Sequence, residues 1–304
     1  MIDLNPWGEI CTKDRSRADV AVMGIPFDGA VSCGKGAAAG PEMIRNLSRF
    51  LPPASEEGIL FDQLRVYDRG DIQVDLDWPR YYKNVEEEAL ALMQSTPFCL
   101  FLGGDHSVTI PLHKAFGKIF SGKKIGILHF DSHSDICAEY DGHPWSHACT
   151  ERRAVEDVIA PSDLAMIGIR SWEAEEIFYL KEHPEITVIR AKDIHEHGYR
   201  KATEDLLEKF KTYDALYLTL DIDVLDPSCA PGTGTPEPGG PSCREIMEIV
   251  KILVRKLPIK AMDVVEVSPP LDTPNHITAW AALKIIYEVF GQLSLNNNNV
   301  GSLE

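Results

Sequence analysis

The chain has 304 residues and a mass of 33.8 kDa, and 47 acidic against 30 basic residues give it a formal charge of −17. Its 44% hydrophobic content is typical of a globular protein and excludes a disordered or fibrous chain. The acidic excess disfavours a nucleic acid or a membrane surface as partner, since both attract clustered Lys and Arg, and mildly favours a neutral or cationic small ligand.

Two further features concern the setting of the protein. No apolar run reaches the roughly 18 residues that span a bilayer, and the first 17 residues lack the apolar core of a secretory signal. Seven dispersed cysteines without a CxxC pair indicate reduced thiols and a cytoplasmic protein. We interpret residues 1–295 as one domain and residues 296–304 as a low-complexity tail that could include an expression remnant.

Short apolar runs alternate with amphipathic segments along the chain, which predicts an α/β fold with a mostly parallel sheet covered on both faces. The predicted strands are Asp19–Ile25, Phe98–Leu102, Ile125–Phe130, Leu164–Ile169, Ile186–Ile189, Ala215–Leu220 and Ala261–Val267. The predicted helices are Asn84–Gln94, Ser107–Phe120, Glu173–Glu182, Lys201–Lys211, Ser242–Arg255 and Ile277–Phe290, with a capping box from Ser242 to Glu245. Ligands of such sheets bind at the carboxyl ends of the strands.

The segment GGDHS (103–107) follows the second of these strands. The glycines allow a sharp turn, and Asp105 and His106 lie where the next helix begins. A glycine-rich turn before a helix could cradle a phosphate, although the GK[ST] sequence of a P-loop is missing.

The segment IGILHFDSHSD carries a denser set of polar groups. Asp131, His133 and Asp135 have a spacing of two and therefore point to one side of an extended backbone. Helix capping would be the structural alternative, but two carboxylates around an imidazole are poorly explained by it.

A third strand ends in DIDVLDP. Asp221 follows an apolar run, and a buried carboxylate needs a partner or a metal ion, as does Asp223 two residues later. Asp226 precedes a proline and fits a turn.

Together these segments offer four Asp and two His as metal ligands: His106, Asp131, His133, Asp135, Asp221 and Asp223. Oxygen-rich ligation with imidazole and without thiolate suits Mn²⁺ better than structural Zn²⁺, and six ligands suit two ions. A hydroxide between two such ions is a nucleophile at neutral pH, so the residues alone favour a dinuclear metallohydrolase of a small molecule.

These motifs, in this order, resemble the ureohydrolase family of arginases and agmatinases. The likeness extends over nearly the whole chain, and DIDVLDP and EVSPP are closer to the agmatinase branch. The quoted segments are GIPFDG (24–29), GP (40–41), GGDHS (103–107), DSHSD (131–135), DIDVLDPSCAPGTGTPEPGG (221–240) and VVEVSPPLD (264–272).

The resemblance implies a three-layer α-β-α domain around an eight-stranded sheet, and a pair of Mn²⁺ ions. One ion would be held by His106, Asp131, Asp135 and Asp221, and the other by Asp131, His133, Asp221 and Asp223. It further implies release of urea and an amine by attack of a metal-bridging hydroxide on a guanidino carbon. Homo-trimers or hexamers are implied by analogy only.

The resemblance also implies three catalytic residues. Asp135 would orient the hydroxide, Glu266 would pair with the substrate guanidinium, and Asp135 or His147 would deliver a proton to the leaving amine. For Glu266 the sequence alone also allows a helix-capping role. His143, four residues before His147, is the competing loop histidine.

Some residues depart from the family pattern without replacing a ligand. Cys33, Lys35 and three alanines stand in the first long loop, Ile136 and Cys137 replace the Asn of arginases, and Ser132 replaces an Ala. The resemblance implies that these positions contact the substrate tail. The missing Asn disfavours arginine, so agmatine comes first, while guanidinobutyrate, guanidinopropionate and formimino-amino acids stay open. A basic residue such as Lys35 or Arg152 in the pocket would indicate an acidic tail, and an extra acid or carbonyl would indicate agmatine.

Two other functions are compatible with the sequence. One is a single-zinc deacetylase on the related fold, which would need fewer ligands than the six present. The other is a catalytically silent family member, which the complete ligand set disfavours.

Overall fold

Nine parallel strands form one sheet within residues 5–296, the part of the chain that the computed structural model describes. The strands are β1 Cys11–Thr12, β2 Val20–Ile25, β3 Val66–Asp71, β4 Phe98–Gly103, β5 Ile125–Phe130, β6 Leu164–Ile169, β7 Thr187–Arg190, β8 Ala215–Asp221 and β9 Ile259–Val265. Their order across the sheet is β1-β3-β2-β4-β9-β8-β5-β6-β7.

Helices cover both faces of this sheet. They are α1 Gly40–Ser48, α2 Trp78–Met93, α3 Thr109–Ile119, α4 Thr150–Asp157, α5 Ala174–Glu182, α6 Ala191–His197, α7 Tyr199–Phe210, α8 Cys243–Lys256 and α9 Ile277–Asn296. Side chains alternate along the strands between two buried clusters, so that Phe98 and Leu100 pack with α8 and α9 while Cys99 and Phe101 pack with α2 and α3. The predicted three-layer α-β-α fold is confirmed.

The structure differs from the predicted elements mainly at one edge of the sheet. The ninth strand, beyond the eight expected, is the two-residue β1, and β3 was not predicted because its sequence VYDRGD has no apolar run. Helix α2 starts at Trp78 instead of Asn84, since Asp77 caps it through the amide of Arg80 and Pro79 fits its first turn. The Ser242–Glu245 capping box of α8 is confirmed.

Two further predictions concern the C-terminal tail and membrane-spanning segments. The tail at 296–304 lies outside the described residues, apart from the last residue of α9. Among the helices within residues 5–296, none is long and apolar enough to cross a membrane.

The strand order explains how distant motifs meet. The central strands β4, β9, β8 and β5 are direct neighbours, and the segments that follow them are the ones singled out in the sequence. Because all four strands are parallel, these segments lie at the same edge of the sheet.

Candidate active site

The six predicted metal ligands lie together at the carboxyl ends of β4, β5 and β8. Nδ1 of His106 is 3.0 Å from Oδ2 of Asp131, 3.0 Å from Oδ2 of Asp135 and 3.4 Å from Oδ2 of Asp221. Nδ1 of His133 is 3.3 Å from Oδ1 of Asp131 and 3.1 Å from Oδ2 of Asp223. Asp131 is thus shared between two groups of nitrogen and oxygen atoms.

Local hydrogen bonds orient these carboxylates. Oδ1 of Asp221 accepts the amide of Asp223 at 2.8 Å, and Oδ1 of Asp131 accepts the amide of His133 at 2.6 Å. The hydroxyl of Ser132, one of the departures from the family pattern, donates to Oδ1 of Asp223 at 2.8 Å. Each carboxylate keeps a second oxygen that is directed at a histidine.

A chain of hydroxyl groups determines which nitrogen of His106 carries the proton. The carboxylate of Asp263 accepts hydrogen bonds from Tyr217, Thr109 and Thr219, so the Thr219 hydroxyl has its proton directed at Asp263. Thr219 therefore accepts from Nε2 of His106, 2.9 Å away. In the neutral imidazole, Nδ1 of His106 then carries the lone pair, and it faces three carboxylates.

This arrangement fits a bound cation. Nδ1 of His106 and Oδ2 of Asp131 are fully buried without a hydrogen-bond partner among the described residues. Burial, together with the charges of neighbouring carboxylates, raises the pKa of Asp221 well above its ordinary value and that of Asp135 to about 6. Oxygen and imidazole donors that are crowded and unpartnered fit divalent ions.

His129 is a further histidine within this group, and sequence reasoning missed it. It lies close to His106 and Asp131, and its ring stacks on that of His106 with centroids 5.2 Å apart. Its Nε2 is 3.0 Å from the carbonyl oxygen of His133 and its Nδ1 is 3.1 Å from Oε1 of the buried Glu151. Because both of its nitrogens already lie beside oxygen atoms of the protein, His129 is better placed to support the ligand segment than to bind an ion. Its signal was the spacing of two that it shares with Asp131.

Glu266 lies directly beyond β9, next to the GGDHS turn. Its Oε1 accepts the amide of His106 at 2.9 Å, and its backbone φ is +60°. Burial raises its pKa well above the ordinary value, as does the charge of Asp105. A cation beside Glu266 would restore the carboxylate.

The phosphate cradle that the GGDHS turn allowed is absent from this segment. The amides of Asp105, His106 and Ser107 already bind Phe27 O, Glu266 and Asp105. A Cβ on Gly104 would lie 1.8 Å from the carbonyl oxygen of Phe27, so this glycine serves close packing of two loops.

A cleft of about 220 Å³ opens above the ligand cluster. It is lined by Ser32, His133, Asp135, Tyr140, His147, Ala148, Ser171, Trp172, Glu173, Glu176, Thr235 and Glu237. Nε2 of His147 accepts the amide of Ser32 at 3.3 Å, and burial lowers the pKa of His147 to about 4. His143 instead packs its ring against Trp78 at 4.5 Å.

Acidic side chains predominate among the charged groups of the cleft. Within the described part of the chain, its lining includes four acids and neither a lysine nor an arginine. Lys35 is exposed outside it, and Arg152 lies over the ring of Tyr179 and pairs with Glu156. Neither of the basic residues considered from the sequence lines the cleft.

Sequence reasoning also missed Glu237 and Arg170, which lie in or beside this cleft. Arg170 follows β6 and donates to five backbone carbonyls, among them those of Asp223 and Glu237. Asp226, predicted to form a turn, accepts the amides of Ser228, Gly239 and Gly240. In the sequence, only the length and composition of the loop between β8 and α8 could have indicated that Arg170 and Asp226 hold this loop by hydrogen bonds.

Comparisons with known proteins agree with the motifs. Residues 18–291 match the Arginase family. An agmatinase of Chromobacterium violaceum is 37% identical over 90% of this chain and 83% of its own length, and a guanidinopropionase of Pseudomonas aeruginosa is 33% identical over 91% and 87%. The crystal structure of a hypothetical agmatinase from Burkholderia thailandensis superposes with a TM-score of 0.85 at 34% identity, covering 94% of this chain and 89% of that one. The chain therefore belongs to the arginase family, as its motifs predict, and is a hydrolase of the ureohydrolase type.

Proposed function

We propose that the protein hydrolyses agmatine, a guanidino compound with a cationic tail, to urea and an amine. The observation that carries this choice is the acidic cleft, whose described lining has Glu173, Glu176 and Glu237 and neither a lysine nor an arginine. The names of the relatives do not decide between a cationic and an acidic substrate tail, because both agmatinases and a guanidinopropionase are among them. A carboxylate tail would be repelled in this cleft, whereas an ammonium group would be attracted.

Two Mn²⁺ ions are the proposed cofactors. His106, Asp131, Asp135 and Asp221 would hold one ion, and Asp131, His133, Asp221 and Asp223 the other. The unpartnered nitrogen of His106 and oxygen of Asp131 support this assignment, as does a donor set without thiolate. When bound, the two ions would activate a water molecule at neutral pH.

The remaining chemistry is proposed for three residues of the chain. Glu266 pairs with the substrate guanidinium, in a pose supported by the bond that fixes its Oε1 to the amide of His106. Asp135 orients the attacking water, and Asp135 or His147 supplies the proton to the leaving amine. The position of His147 on the cleft wall, with His143 turned towards Trp78, supports His147 over His143.

A substrate panel tests the proposal. Protein loaded with Mn²⁺ would be assayed for urea release from agmatine, guanidinobutyrate and guanidinopropionate, and for formamide release from formiminoglutamate. We expect the highest kcat/KM for agmatine. Turnover of guanidinobutyrate or guanidinopropionate with agmatine at background would contradict the assignment of a cationic tail.

The cytoplasmic location and the homo-oligomer stay predictions. Sedimentation velocity of the purified protein would test for the trimer or hexamer.

A further inference from the structure

The loop between β8 and α8 connects three parts of the site over four residues. A Cβ on Gly234 would lie 3.8 Å from Oε2 of Glu266, and the hydroxyl of Thr235 donates to Oδ2 of Asp223 at 3.3 Å. Glu237 then lines the cleft, with its Oε1 4.0 Å from Nε2 of His133. The segment therefore runs from the proposed guanidinium carboxylate, past the ligand cluster, to the cleft.

Hydrogen bonds to its backbone and to its side chain hold Glu237 in place. Its carbonyl oxygen accepts Nη2 of Arg170 at 2.7 Å and Nε at 3.0 Å, and the same guanidinium donates to the carbonyl of Asp223 at 2.8 Å. The hydroxyl of Ser171 donates to Oε1 of Glu237 at 3.1 Å. The side chain is nevertheless 39% exposed, so its carboxylate is open to a ligand. A fixed and open acid is suited to bind a cation with little loss of side-chain entropy.

The other acids of the cleft are less suited to this role. Both oxygens of Glu176 accept backbone amides, from Ile136 at 3.1 Å and from Glu173 at 2.8 Å, and its side chain is buried. Glu173 is an exposed residue that precedes α5 as its N-cap. Asp135 belongs to the ligand cluster. Glu237 is thus the best candidate, and Glu173 is the competitor that an experiment must separate from it.

We propose that Glu237 binds the ammonium group of the substrate, and that the segment 234–237 sets the length of the substrate. The inference rests on the proposed function, since it presumes a guanidino substrate with a cationic tail. Three residues of extended chain span about 10 Å at most. The guanidino carbon and the amine nitrogen of agmatine are six bonds apart, roughly 7 Å for single bonds of about 1.5 Å. A four-carbon substrate therefore lies within the reach of this segment.

The test compares a substrate that has the ammonium group with one that lacks it. Urea release from agmatine and from 1-butylguanidine would be measured for the Mn²⁺-loaded wild type, Glu237→Gln, Glu173→Gln and the control Glu204→Gln, which removes an exposed charge on α7. We expect Glu237→Gln to lower the ratio of kcat/KM for agmatine to kcat/KM for butylguanidine about tenfold, through KM. Glu173→Gln and Glu204→Gln should keep the wild-type ratio.

Chain length provides a second readout. Among aminoalkylguanidines with three, four and five carbons, the wild type should favour four carbons, and Glu237→Gln should lose that preference. If the wild type shows no preference among these chain lengths, the segment 234–237 does not set the length of the substrate.

Three results would overturn the role of Glu237. Equal losses for agmatine and butylguanidine, accompanied by weaker Mn²⁺ binding in calorimetry, would show that Glu237 supports His133. If only Glu173→Gln lowers the ratio of kcat/KM for agmatine to kcat/KM for butylguanidine, the ammonium group of the substrate is bound by Glu173. If the wild type releases no urea from agmatine, the proposed function fails, and calorimetric binding of the two guanidines still decides the point, since equal affinities would exclude an ammonium site at Glu237.

Discussion

At the scale of single residues, the predicted ligands are oriented by hydrogen bonds from residues that lie behind them. Asp263 directs the Thr219 hydroxyl, and Thr219 in turn accepts from Nε2 of His106, so that the neutral ring presents Nδ1 as a lone pair. Partners of this kind typically contribute 10- to 100-fold to metal affinity.

We therefore expect Asp263→Asn to weaken Mn²⁺ binding about 10- to 100-fold in calorimetry, because an amide can donate to Thr219 and reverse the chain. Thr219→Val should have a similar effect, whereas Thr219→Ser keeps the hydroxyl and should bind like the wild type. Asp205→Asn, at the surface of α7, is the control for lost charge. Wild-type affinity in folded Asp263→Asn and Thr219→Val would exclude this relay.

Glu266 can be tested with a nearly isosteric change. Glu266→Gln keeps an oxygen for the amide of His106 but loses the charge that pairs with a guanidinium. A charge-assisted pair is worth about 2 kcal/mol, so kcat/KM should fall about 30-fold or more while the metal content stays unchanged. Loss of bound Mn²⁺ in this variant would reassign Glu266 to the metal centre.

The spacing of residues singled out most of the side chains that the structure brings together, but not the residues that orient them. Asp131, His133 and Asp135 were found because polar groups with a spacing of two at the end of an apolar strand are rare. His129 and Asp263 lie inside apolar strands, where one polar residue looks like a satisfied core residue. Their partners, Glu151 and Thr219, come from other parts of the chain, and contacts of that kind depend on the tertiary fold.

At the scale of elements, strands buried on both faces were predictable and the sheet edge was not. β4, β5 and β8 are mostly apolar and fully buried, whereas β3 is polar and partly exposed. The N-cap of α8 was predicted because Ser242 and Glu245 form a recognisable capping box. The start of α2 was missed, because the segment WPRYY before Asn84 was not recognised as helical.

The cap of α8 offers a measurable prediction. Ser242→Ala removes the acceptor for the amide of Glu245 and should lower the free energy of unfolding by about 1 kcal/mol in urea titrations. Ser242→Asp retains a capping oxygen and should remain close to the wild type. An unchanged midpoint in Ser242→Ala would mean that packing alone holds this helix end.

At the scale of the whole molecule, the order of the strands is what the sequence could not reveal. Runs of apolar residues do not say which strand lies beside which, yet the site depends on β4, β9, β8 and β5 being neighbours. The structure also shows where some of the excess acids lie. Among the described residues, four line the cleft, and others form ion pairs at the surface.

One such cluster ties residues 56 and 57 to α8. Glu56 contacts Arg244 at 2.5 Å and Lys251 at 2.9 Å, and Lys251 also contacts Glu57 at 2.9 Å and Glu248 at 3.0 Å. The hydrogen bond from Arg244 lowers the pKa of Glu56 to about 2, with Lys251 adding to the shift.

A lowered folded-state pKa gives a definite dependence on pH. The stabilisation by Glu56 is present above its unfolded pKa of about 4.3 and is lost as the pH falls towards 2. Glu56→Gln should lower Tm by a few degrees at pH 7 and should lose less Tm than the wild type between pH 5 and pH 2.5, as measured by calorimetry. Parallel curves for the two proteins would show that this cluster does not contribute.

The central claim is that a pair of metal ions held by the six clustered side chains drives urea release. The most direct measurement is urea release from agmatine together with bound Mn²⁺ per chain, for the wild type, Asp131→Ala and His133→Ala. We predict two ions and full activity in the wild type, activity lost on chelation and restored by Mn²⁺, and fewer ions with activity near background in both variants. Full urea release in both variants, or in chelated wild type, would contradict the account.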